Sequence, residues 1–116
     1  MLTLSSGIRA AAAAAILFAG GTIAQAAGAE CAEEHGLRSK RGDQPTELVF
    51  VNKKSHPVRI YWINYDGGRK FYAEVRPHQE HVQQTYRTHP WVVTDRQENC
   101  LGVYFPHRHG KRVVIH

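Results

Sequence analysis

Cysteine is scarce in this sequence. The 116-residue chain holds two, Cys31 and Cys100, and no Cys-x-x-Cys, so neither a redox motif nor a cysteine-based metal spacing is present. Serine is scarce beyond residue 26, where only Ser39 and Ser55 remain. Both sit in polar, turn-like contexts and neither in a nucleophile elbow. The one Gly-Gly pair in that part of the chain, Gly67-Gly68, belongs to a hairpin turn, so no phosphate-cradling loop is present. Asp66 and Asp95 fall at strand ends, where Asp caps or turns, and no carboxylate pair for acid–base work follows from them. Helical periodicity, internal repeats and low-complexity segments are also missing after residue 26. With 116 residues there is no room for a second, cofactor-binding domain. These absences together argue against an enzyme.

Charge is modest. Fifteen Lys+Arg stand against ten Asp+Glu, a net +5, and the basic residues are scattered, so a nucleic-acid partner is not expected. Residues 1–26 read as a secretory signal peptide. Arg9 supplies the cation, Ala10 to Ala19 the short apolar stretch, and Ala24-Gln25-Ala26 the small-x-small cleavage site. The stretch is too short and too rich in Ala and Gly to span a bilayer, and no other stretch is long or apolar enough. The expected product is exported, periplasmic or secreted, with no membrane contact after cleavage. In an oxidising compartment Cys31 and Cys100 form one disulfide. It closes a loop of about 70 residues, worth about 4 kcal/mol by chain entropy.

Residues 27–45 are expected to form an irregular N-terminal arm, pinned by Cys31. From residue 46 the pattern turns to short β-runs separated by turn signals. These are Leu48–Val51, Val58–Ile63, Phe71–Val75, His81–Tyr86, Trp91–Thr94, Leu101–Phe105 and Arg112–Ile115. In the second run Val58, Ile60 and Trp62 share one face and Arg59, Tyr61 and Ile63 the other. Asp66-Gly67 supplies the positive φ of a tight turn. Seven short strands at this spacing predict an all-β sandwich.

Two residue sets carry candidate chemistry. Eight histidines invite a metal reading. His78 and His81 are close together, and His107 and His109 share a face if extended, but no carboxylate or cysteine completes a ligand spacing. Exposed loop histidines are the simpler reading, with at most a weak site at His107/His109, so no metal or other cofactor is expected. The second set is aromatic: Trp62, Tyr65, Phe71, Tyr72, Tyr86 and Trp91 fall within thirty residues. Most aromatics in a sandwich are core. Tyr72 and Trp91, with Thr85 and His89, can instead wall a pocket for a small hydroxylated ring.

Taken in order, Leu48-Val49-Phe50-Val51-Asn52, Trp62-Ile63-Asn64-Tyr65-Asp66-Gly67, Tyr72 and Thr85-Tyr86-Arg87-Thr88-His89-Pro90-Trp91 resemble the β-domain family of the von Hippel–Lindau tumour suppressor. The spacing runs without gaps from Asn52 through Asp95, and the resemblance covers roughly residues 45–106, within a β-domain set at 46–116. It implies a seven-stranded, prealbumin-like β-sandwich. It also implies recognition of 4-hydroxyproline within an extended peptide, which in that family belongs to hypoxia-inducible factor. Position by position, Trp62, Tyr72 and Trp91 match the ring walls, His89 the hydroxyl-binding His, and Thr85 the hydroxyl-binding Ser. Gln84 stands where the family has a His lining the peptide groove, Pro90 replaces an apolar residue, and the loop after Asp95 is shorter. The sequence shows no helical α-domain after the sandwich, so neither elongin nor ubiquitin-ligase chemistry is expected.

The leading expectation is therefore a non-enzymatic module that binds an extended peptide, or a small hydroxylated ligand, through Trp62, Tyr72, Gln84, Thr85, His89 and Trp91. Trp91→Ala is expected to abolish binding with the fold largely intact. The rivals are an exported interaction domain with no small ligand and a weak histidine-based metal binder. The sequence separates the first rival from the leading reading by one requirement: Tyr72, Thr85 and His89 must open onto a common hollow.

Overall fold

A computed structural model describes residues 31–116; the expected signal peptide, 1–26, lies outside them. Seven strands form, named in chain order: β1 Pro45–Asn52, β2 Val58–Ile63, β3 Arg69–Val75, β4 Glu80–Tyr86, β5 Trp91–Thr94, β6 Cys100–Tyr104 and β7 Lys111–Ile115. They build a three-stranded sheet in the order β4-β1-β7 and a four-stranded sheet in the order β3-β2-β5-β6. All pairings are antiparallel except β1 with β7, which is parallel and joins Leu48 to Lys111 and Asn52 to Ile115.

The inward faces follow from the period of two along each strand. Leu48 and Phe50 of β1 and Val113 and Ile115 of β7 meet Val58, Ile60, Val75, Trp91 and Val93 from the other sheet. The opposite face of the four-stranded sheet is also buried. Tyr61, Ile63, Val92 and Val103 form a second cluster, against which Leu37 and Cys100 pack. This explains why β2 and β5 read as apolar on both faces.

The cover for that second cluster is the N-terminal arm. A single 3-10 turn, Glu34–Gly36, presents the Glu34 carboxylate to Arg69, with Nε to Oε2 at 2.6 Å and Nη2 to Oε1 at 2.9 Å. Those hydrogen bonds to Arg69 hold the Glu34 carboxyl below the ordinary carboxylate range, against the opposing effect of burial. Cys31 is disulfide-bonded to Cys100, with Cα atoms 5.9 Å apart. The arm is thus a third layer with its own ion pair and apolar contact rather than a loose segment held by one bond. Its boundary also shifts, because Pro45 already pairs with Tyr86 as the first residue of β1. Phe105, expected in the sixth strand, lies just beyond β6.

Two irregularities mark the β2–β3 hairpin. Ile60 pairs with Ala73 and Tyr61 with Phe71, so Tyr72 is left unpaired as a β-bulge; such a bulge re-aims its side chain. In the turn after β2, Gly67 takes φ 89°, as the Asp-Gly signal predicts, and Asn64 Oδ1 accepts from the backbone N–H of Asp66 and of Gly68.

Candidate functional site

The sandwich core stops short of one end. Trp62 and Trp91 are directly opposite each other across β2 and β5, on the inward face shared with Ile60 and Val93. Beyond this Trp pair the chain leaves β4 in one sheet, turns through residues 86–90, and enters β5 in the other. The separation of the two strands leaves a hollow of about 240 Å³, lined by Trp62, Tyr65, Tyr72, Gln84, Thr85, Tyr86, His89 and Trp91. All six side chains singled out from the sequence meet here, and Tyr72, Thr85 and His89 share the one hollow.

Its walls are aromatic and mutually braced. Tyr72 stands edge-on to Trp91, with centroids 4.9 Å apart, and to Trp62 at 6.4 Å. Tyr65 stands edge-on to Trp62 at 5.2 Å, and the His89 ring lies against Trp62 at 5.2 Å. Edge-to-face packing of this kind adds to the area each ring buries. Tyr72 remains 43% exposed at the rim, whereas Trp91 is 2% exposed and packs on Phe50. Trp91 is therefore core as well as wall. Trp91→Ala is expected to cost about 3–5 kcal/mol of stability, which corrects the expectation that this substitution spares the fold.

The polar groups are oriented by what they already bond. Trp91 Nε1 donates to Thr85 Oγ1 at 2.8 Å. Thr85 is 5% exposed and lines the hollow, and its hydroxyl donates to no acceptor among the described residues. His89 is 7% exposed. Its Nε2 lies 3.1 Å from the Lys40 carbonyl, which only accepts, so Nε2 carries the proton and donates. Nδ1 is then the acceptor and has no partner among the described residues. The Tyr65 hydroxyl, 3.5 Å from Nε2, is at the limit of hydrogen-bond distance. Burial pushes the His89 pKa below its ordinary value, against the smaller effect of the Lys40 carbonyl, which keeps the ring neutral. Thr85 and His89 thus line the hollow with one hydroxyl and one imidazole nitrogen that have no further partner among the described residues.

The sequence did not reveal all of the site. Tyr65 and Tyr86 line the hollow beside the six expected residues. Ser39, read as a turn residue, is buried. It accepts from Trp62 Nε1 at 2.7 Å and donates to the Ile63 carbonyl at 2.6 Å. Thr88 Oγ1 stands 3.0 Å from the Lys40 carbonyl and 3.1 Å from that of Arg41, locking the arm to the 86–90 turn. Gly42 is required by close approach, because a Cβ there lies 2.5 Å from Cγ of the Tyr86 ring. Among the described residues no three metal-ligating side chains cluster, and His81 is hydrogen-bonded to Gln83 at 2.9 Å. A family model for the VHL beta domain matches residues 37–103, more than half of the chain.

Proposed function

From the premise that this chain belongs to the VHL beta-domain family, we propose that it recognises a hydroxylated proline ring carried on an extended peptide. The family is one of substrate-recognition domains, and binding rather than catalysis is the activity that follows from membership. The observation that carries the finer reading is the pairing of the Thr85 O–H donor with the His89 Nδ1 acceptor inside walls made by Trp62, Tyr72 and Trp91. A five-membered ring with one hydroxyl packs on the aromatic faces and uses both polar groups. The peptide backbone runs along β4, which pairs only with β1 and so offers a free edge for strand addition. Gln84 lies on β4 and lines the hollow, with its Nε2 donating to Glu47 Oε1 of β1 at 3.3 Å. The Cys31–Cys100 disulfide supports an oxidising, exported setting for this recognition.

Calorimetric titration of the full chain with two peptides, identical except for 4-hydroxyproline or proline at one position, tests the reading. The proline peptide leaves two buried groups unsatisfied, each costing about 1–3 kcal/mol. The hydroxylated peptide is therefore expected to bind on the order of 100-fold tighter. Thr85→Val should remove most of that difference and Thr85→Ser should keep it. Equal affinity for both peptides, or binding of neither, overturns the assignment.

A further inference from the structure

The turn between β4 and β5 has two sides. Tyr86, His89 and Trp91 line the ring pocket, whereas Arg87, Thr88 and Pro90 line a second hollow of about 280 Å³. Leu37, Pro90 and Phe105 give the second hollow an apolar surface, and Arg38, Lys40 and Arg87 bring three cations to it. Four arginines elsewhere in the fold, Arg59, Arg69, Arg96 and Arg112, each hold a carboxylate. The three cations here form no ion pair among the described residues; the Arg87 guanidinium donates to Gln44 Oε1 at 3.3 Å, and its backbone N–H to the Gln44 carbonyl at 3.0 Å. Phe105, an aromatic side chain 43% exposed, stands among them. Like charges gathered beside open apolar surface repel one another in the free protein, and an anionic partner with an apolar neighbour relieves both conditions.

The second hollow lies across the 86–90 turn from the first. Lys40 lines it, and the carbonyl of the same residue holds His89 in the ring pocket. We infer that the second hollow receives an acidic side chain and an adjacent apolar one from the same extended peptide whose ring fills the first, a deepening that rests on the proposed function. The two hollows are separated by one turn of chain, and an extended peptide advances about 3.3 Å per residue. The acidic residue therefore belongs to a flank of the ring, on the far side of that turn. A nucleic-acid strand needs a longer cationic track with stacking platforms. A single hollow of this size with an apolar surface fits a carboxylate-bearing peptide instead.

Fluorescence anisotropy on the full, oxidised chain separates the two sites. The probes are labelled nine-residue peptides carrying hydroxyproline or proline at the centre, with flanks on both sides made of Asp and Leu, of Ser and Ala, or of Lys and Leu. At about 50 mM salt the Asp-Leu peptide is expected to bind about tenfold tighter than the Ser-Ala peptide with the same ring. At about 0.5 M salt the difference should shrink to about twofold. Arg38→Ala combined with Arg87→Ala should bring the Asp-Leu peptide down to the affinity of the Ser-Ala one. Arg76→Ala, on the turn between β3 and β4, should keep the preference. Hydroxyproline against proline at fixed flanks reads the ring pocket alone, so an acidic preference seen with both rings supports the second hollow whether or not the hydroxyl is sensed. Equal affinity for all flanks overturns the inference. So does no measurable binding of any peptide, a preference that survives the double variant, or tighter binding of a ten-nucleotide single strand than of the Asp-Leu peptide.

Discussion

His89 is the residue on which the proposed recognition turns, and its protonation state gives a pH prediction. Its ordinary pKa is 6.5, and burial lowers it in the folded protein. Between pH 6.5 and that lower value the unfolded chain binds a proton that the native state does not. The contribution of this group to stability is therefore complete above pH 6.5 and declines as pH falls through that window. Affinity moves the same way, because a proton on Nδ1 turns the acceptor into a second donor and leaves the ligand hydroxyl without a partner. Titrating the hydroxyproline peptide between about pH 7.5 and pH 4.5 is expected to show binding that weakens on acidification, with its midpoint below the ordinary histidine value. Binding that is flat or strengthens toward acid counts against this role for His89.

At the scale of elements, the arm and the pocket are one device. Ser39 sets Trp62, the Lys40 carbonyl sets His89, and both belong to a segment fastened by the Cys31–Cys100 disulfide and the Glu34–Arg69 ion pair. Reducing the disulfide is expected to lower stability by about 4 kcal/mol. It should also weaken the hydroxyproline peptide several-fold, as the arm loosens its hold on both rings. Denaturant midpoints and peptide titrations with and without reductant measure the two effects. A fall in stability with unchanged affinity would mean that the remaining contacts hold the arm in place. This coupling also marks the limit of what the sequence discloses. β2 and β5 were legible because alternation and short apolar runs are local patterns. Trp62, Tyr72, Gln84, Thr85, His89 and Trp91 were legible through their spacing against a known family. Ser39 and Lys40 were not, because they act on Trp62 and His89 through tertiary contact, and Tyr65 stood in the pattern without a site role. Lys40 acts through a backbone carbonyl, which every residue carries, so its side-chain identity holds no signal.

At the scale of the whole molecule, the parallel pairing of β1 with β7 sets the order in which the sandwich closes. β1 is the middle strand of its sheet, and its two neighbours come from chain positions far apart, Glu80–Tyr86 and Lys111–Ile115. Removing residues 111–115 takes Val113 and Ile115 out of the core and bares one edge of β1. The shortened chain is expected to lose the cooperative unfolding transition seen by circular dichroism and to aggregate. A soluble chain with an intact transition would show that β7 is dispensable. The same pairing makes folding slow to start, since loops of this length must close before their contacts stabilise anything. While the chain is being made at about 5–20 residues per second, β1 emerges early and waits for a partner that comes more than sixty residues later. A sandwich that cannot finish until residue 115 is free stays open, its β1 edge unpaired on one side, for most of its synthesis.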